Sequence, residues 1–116
     1  MREDHLQQQV IDLARLTGWK VAHFRPAKTE RGWRTPVQGD GVGFPDLILI
    51  RGQRIIAAEL KSDTGRTTLE QDDWLTLFHT AGAETYVWRP RDWDTIERLL
   101  KSDLHALQRP HPSVDR

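Results

Sequence analysis

No cysteine occurs among these 116 residues, which excludes disulfides, zinc–thiolate sites and a cysteine nucleophile. That absence fits a reducing cytoplasm. Net charge is lacking too: 17 Lys and Arg balance 17 Asp and Glu. A generic polyanion binder is thereby excluded, and any nucleic-acid surface must be a local patch. No apolar run approaches the roughly 18 residues of a membrane span. No signal-peptide pattern opens the sequence and no internal repeat runs through it. The expectation is a cytoplasmic protein without membrane attachment. What is present, 37% hydrophobic and 29% charged residues, is the composition of a soluble globular chain. The length suits one domain with one modest core.

The rest of the chain is organised around Gly43 to Lys61, GFPDLILIRGQRIIAAELK. Leu47 to Ile50 is an apolar run bounded by Pro45 and Gly52, as in a buried strand. Ile55 to Leu60 is a second run, and Gly52 can take the positive φ of a hairpin turn between them. Three charges interrupt this hairpin: Asp46 at its start, Glu59 and Lys61 at its end. Alternation puts Glu59 and Lys61 on one face. The hairpin sets the start of one strand beside the end of the next, so Asp46, Glu59 and Lys61 converge at one sheet edge. Buried charges must be paired or bind a metal. One reading is an internal salt bridge of Lys61 with Asp46 or Glu59. The other is a site for a hard divalent cation: two carboxylates and a main-chain carbonyl suit Mg²⁺, and Lys61 then serves a water or a phosphate.

The flanking segments supply further candidates. Leu6, Val10, Ile11, Leu13 and Ala14 predict an N-terminal helix that Gly18 stops. Glu3 falls on its inward face in the first turn, either as a solvated residue favoured by the helix dipole or as part of a site. Trp19 to Arg25 alternates as a strand carrying His23 and Arg25, with His23 a packed or surface residue, or a phosphate contact. Pro26 to Val42 reads as a long irregular segment. Lys28, Arg31 and Arg34 surround Trp33 there, a pattern suited to phosphate contacts and base stacking in a DNA-contacting loop. After a turn-rich connection a second helix begins, with Thr67 and Glu70 at capping-box spacing. Its apolar stripe is Leu69, Trp74, Leu75, Phe78 and Ala81, closed by Gly82. Gln71 lies on its inward first turn, as a capping or core-edge amide or as a site residue. Thr85 to Arg89 is a further strand ended by Pro90, implying a parallel crossover from Ile55–Lys61. Trp93, Ile96, Leu99 and Leu100 make a last helix. Leu104 and Leu107 could extend it, and a loose tail is expected beyond about Gln108.

Pro45-Asp46, twelve intervening residues, then Glu59-Leu60-Lys61, with Gln71 opening a helix and Tyr86-Val87-Trp88-Arg89-Pro90 closing the core, resembles the PD-(D/E)xK nucleases, and among them the VRR-NUC branch related to Holliday-junction resolvases. The resemblance spans about residues 3 to 100. It implies a restriction-endonuclease-like α/β core, a mixed sheet flanked by helices in the order α-β-β-β-α-β-α. Residues 1–101 would form the nuclease domain and 102–116 a tail, partly helical or disordered. It further implies a structure-selective DNA endonuclease acting on branched DNA. Asp46, Glu59, the Leu60 carbonyl and Glu3 would hold Mg²⁺, with Mn²⁺ as a substitute. Asp46, Glu59, Lys61 and Gln71 would be catalytic, and His23, Arg25, Lys28, Arg31, Trp33 and Arg34 would contact DNA. A homodimer and a bacterial or phage-infected cytoplasm come with the resemblance alone. The alternatives are a non-catalytic DNA-binding module with the same fold, or a nuclease subunit that needs a partner.

Overall fold

The computed structural model describes residues 3–24, 27–29, 32–34 and 39–103, with the backbone alone for residues 3, 27–29 and 32–34. Helix α1 (Glu3–Leu16) leads into strand β1 (Lys20–His23), followed by a small ribbon of β2 (Ala27–Thr29) and β3 (Gly32–Arg34). Then come β4 (Leu47–Arg51), β5 (Arg54–Leu60), α2 (Leu69–Thr80), β6 (Glu84–Trp88), a 3-10 turn at Pro90–Asp92 and α3 (Trp93–Lys101). The main sheet runs β1-β4-β5-β6. β4 is antiparallel to both β1 and β5, while β5 and β6 are parallel. A parallel pair needs a long crossover, and α2 provides it. Gly52 sits in the β4–β5 turn at φ 60°.

The β2–β3 ribbon corrects the expectation of irregular chain from Pro26 to Val42. Ala27 pairs with Arg34, Lys28 with Trp33 and Thr29 with Gly32. Strands of three residues are too short for apolar periodicity to mark them in the sequence.

Alternation along β4 and β5 sorts the sheet into two faces. Leu47, Leu49, Ile56, Ala58, Leu60 and Trp88 pack with Leu6, Val10, Ile11 and Ala14 of α1 and with Ile96 and Leu100 of α3. The opposite face carries α2, whose Leu75 is fully buried. There Phe44 lies edge-on to Phe24, Trp74 and Phe78, at centroid distances of 5.0, 5.0 and 5.8 Å. Leu69, expected on the α2 stripe, is instead 79% exposed. It is the first helical residue and precedes the turn that meets the sheet.

Gly43 brings the chain before β4 against the start of α2. Its φ is 83°, and a Cβ there would fall 2.6 Å from the Glu70 carbonyl carbon and 2.8 Å from the Gln71 nitrogen. Trp74 Nε1 then donates to the carbonyls of Asp40 and Val42 at 3.2 and 3.1 Å.

The hairpin-turn end is held by two arginines that the sequence presents only as turn residues. Arg54 is 1% exposed. Its Nε and Nη2 donate to the two carboxylate oxygens of Glu84, both at 2.7 Å. Tyr86 Oη adds a bond to the same carboxylate at 2.8 Å. Arg51 donates to the carbonyls of Thr17 and Leu100 at 2.9 and 2.8 Å and also to Ser102 O. Both guanidinium carbons stand over the Trp19 ring, at 4.6 and 4.8 Å. Ser102, where the sequence suggests the tail begins, thus accepts bonds from Arg51 and Arg54; residues 104–116 lie outside the described residues.

Two outcomes follow from this packing. Glu84→Ala leaves a buried guanidinium unpaired and is expected to destabilise the fold by about 3–5 kcal/mol, read as a drop in urea midpoint at unchanged slope. Gly43→Ala combines left-handed backbone with a backbone clash and should cost about 1–3 kcal/mol or more. The same measurement, with an unshifted midpoint for either variant, would refute the corresponding assignment.

Candidate active site

Asp46, Glu59 and Lys61 occupy the end of the hairpin furthest from its turn, about 20 Å along β5 from Arg54. Pro45 and the Phe24 N–H bond to Asp46 O, 2.9 Å, fix the backbone where Asp46 enters β4. Asp46 Oδ2 accepts the Leu60 N–H at 2.8 Å, so a carboxylate replaces a carbonyl as the partner of this strand amide. Alternation carries Asp46, Glu59 and Lys61 to the α2 face. Glu59 is 2% exposed. Its Oε2 accepts from Gln71 Nε2 at 2.9 Å and lies 3.7 Å from Lys61 Nζ. The internal salt bridge and the convergence expected from the sequence are therefore both present, and they involve the same atoms.

Gln71 is at once a capping amide and a partner of this cluster. Thr68 N–H donates to Gln71 Oε1 at 2.9 Å, and Gln71 N–H donates to Thr68 Oγ1 at 3.2 Å. The capping box is thus Thr68/Gln71, one residue later than the Thr67/Glu70 pair expected. Both pairs have the required spacing. In the observed register a neutral amide meets Glu59, and its oxygen is committed to the cap, so its N–H points at the carboxylate. Thr68 and Gly43 are the residues sequence reasoning missed. The signals were a Thr–Gln pair one residue after the Thr–Glu pair, and a glycine two residues before the Pro-Asp.

Burial raises the Asp46 carboxyl above its ordinary value. The Leu60 N–H, a hydrogen bond with Glu59 and the Lys61 charge pull it back in part. The donor set, carboxylates and a main-chain carbonyl without sulfur, matches Mg²⁺ or Mn²⁺.

The other candidates are distributed as follows. Leu60 lies between Glu59 and Lys61, its side chain fully buried on the α1 face and its main chain at the cluster. Glu3 is the first residue of α1, described by its backbone alone. Arg51 ties Thr17, just past the end of α1, to the hairpin turn; about 20 Å of helix then returns Glu3 toward the Leu47–Leu60 end. Among the described residues no three His, Cys, Asp or Glu side chains form a metal-holding group. His23 pairs in register with Leu47 and so sits on the face opposite to Asp46 and Glu59. Lys28, Trp33 and Arg34 belong to the β2–β3 ribbon. Arg25 and Arg31 lie outside the described residues. No helix among the described residues is long and apolar enough to cross a membrane.

Hjc, a Holliday junction resolvase from the archaeal hyperthermophile Archaeoglobus fulgidus, is similar at 22% identity and a TM-score of 0.45, over 73% of this chain and 65% of that one. The match thus spans less than two thirds of the resolvase's length. A search of curated proteins gives no match. The sequence pattern of the VRR-NUC domain matches residues 3–92, three quarters of the chain: the protein belongs to the VRR-NUC domain family.

Proposed function

We propose that this protein is a Mg²⁺-dependent endonuclease that hydrolyses DNA phosphodiesters and prefers branched, Holliday-junction-like DNA. The observation that carries this reading is the convergence of Asp46, Glu59, Lys61 and Gln71 at one end of an otherwise apolar hairpin. Asp46, Glu59, the Leu60 carbonyl and Glu3 would hold the cation, with Mn²⁺ as a substitute. When bound, the cation lowers the pKa of water and offsets charge developing on the phosphate.

The chain's own residues do the rest. Asp46 is anchored by the Leu60 N–H, which fixes its second oxygen at the cluster. Gln71 and Lys61 both meet Glu59 at Oε2. Lys61 carries three donors and a full charge beside the scissile phosphate, where they stabilise the added negative charge of the transition state. In the overall reaction a water oxygen bonds to phosphorus and one ester oxygen leaves, giving a phosphate monoester and a free hydroxyl.

Nothing in the sequence resembles a base-reading element, which favours recognition of DNA shape. Lys28, Arg31, Arg34 and Arg25 supply phosphate contacts, with Trp33 for stacking and His23 at the margin. A homodimer would set two such sites against two strands of a junction. The zero net charge favours one second reading, a nuclease whose DNA affinity comes from a partner.

The test is cleavage of labelled four-way junction, flap, single-stranded and duplex DNA with Mg²⁺, Mn²⁺ or EDTA. Wild type is expected to cut only with metal and to favour the junction. Asp46→Ala, Glu59→Ala and Lys61→Ala should each lose at least about 10²-fold in rate while folding normally. Tight binding without cutting on every substrate would replace the nuclease reading with that of a DNA-binding module.

A further inference from the structure

We propose that Arg89 is a positioning residue for Lys61: it clamps the turn that covers the lysine stem and thereby sets where the ammonium stands. The inference rests on the reading of Lys61 given above and names what holds it.

The parallel register of β5 and β6 pairs Leu60 with Trp88. It continues one step, since Lys61 N–H donates to Trp88 O at 3.0 Å. Lys61 and Arg89 are therefore neighbours where the two strands end. Beyond Lys61 the chain turns through Ser62, Asp63, Thr64 and Gly65, closed by the Gly65 N–H donating to Ser62 Oγ at 3.0 Å. Arg89 Nη1 donates to Ser62 O at 2.7 Å and to Gly65 O at 2.6 Å, bracketing both ends of this turn. A second attachment lies beside it: Arg91 N–H donates to Asp63 Oδ1 and Arg91 Nη1 to Asp63 O, both at 3.1 Å. Arg89 itself is held by its N–H bond to Asp92 Oδ2 at 2.9 Å.

The turn rests on Lys61. A Cβ at Gly65 would stand 3.6 Å from Lys61 Cδ and 3.1 Å from Ser62 Oγ. The Lys61 side chain is only 16% exposed, yet its Nζ is 3.7 Å from Glu59 Oε2. A pair at that distance constrains a four-bond side chain weakly. The covering turn supplies the remaining constraint, and a four-residue turn of Ser, Asp, Thr and Gly has no apolar anchor of its own. The Arg89 bonds attach it to the rigid end of β6. Among the described residues Arg89 has no ion pair with a carboxylate, so its arrangement serves the two carbonyls. Both bonds come from one nitrogen, so an ammonium of similar reach can make them.

The experiment uses the full chain and the substrate that wild type cuts best. Arg89→Met, Arg89→Lys, Lys61→Ala and the double variant Lys61→Ala/Arg89→Met are compared by kcat, KM and thermal midpoint. Arg89→Met should lower kcat by about 10- to 100-fold, as expected for a misplaced group, with KM within about twofold of wild type. Arg89→Lys should recover most of that loss. The double variant should cut no more slowly than Lys61→Ala alone, since both changes act through one group. Gly65→Val keeps Arg89 but crowds the same stem, and should show the same kcat-only loss; it carries the test if Arg89→Met does not fold. Wild-type kcat in Arg89→Met, or in Gly65→Val where that variant stands in, overturns the proposal, as does a loss confined to KM. Lys61→Ala at wild-type rate sinks the underlying reading instead, which keeps the two failures apart.

Discussion

The bond from the Leu60 N–H to Asp46 Oδ2 is the joint on which the rest of this structure turns. It closes the open end of the β4–β5 hairpin with a side chain instead of a carbonyl. A carboxylate in that place is partly desolvated, and its raised proton affinity records the cost. Three contacts offset that cost: the amide itself, the link to Glu59 and the charge of Lys61. Removal of Asp46 would take from the Leu60 N–H the acceptor it has in this structure. The same economy explains why Gln71 lies where it does, since α2 must begin at a point where its first amide can meet Glu59.

The sheet divides its labour between its two ends. At the hairpin turn, Arg54 and Glu84 form a doubly bonded pair that is fully enclosed, and Trp19 packs under both arginines. These contacts draw the end of α1, the hairpin and the end of α3 together. At the other end, Asp46, Glu59 and Lys61 bring two carboxyls and one ammonium close together. On the function proposed above, such an arrangement would serve a cation and a phosphate. The apolar strands between them keep the two ends about 20 Å apart, so the stable end can hold the frame in which the charged end is assembled.

Much of this was legible in the sequence. Two apolar runs with a glycine between them could only be a hairpin, and three charges inside it fixed the edge. The parallel crossover followed from strand, helix and strand in order. What could not be read depended on partners distant along the chain. Arg54 looks like any turn residue until Glu84 is set beside it. Two overlapping Thr–x–x–acid or amide pairs leave the cap register open, and only the position of Glu59 decides between them. The three-residue strands β2 and β3 are too short to leave a pattern, and His23 changes significance once its pairing with Leu47 is known.

Asp46, Glu59, Lys61 and Gln71 all come from one continuous piece of chain, joined by a hairpin and the turn into α2. Closing such short loops is entropically cheap compared with pairing distant strands. The candidate constellation is therefore a locally encoded cassette, to which α1, at the far end of the sequence, would add Glu3 alone.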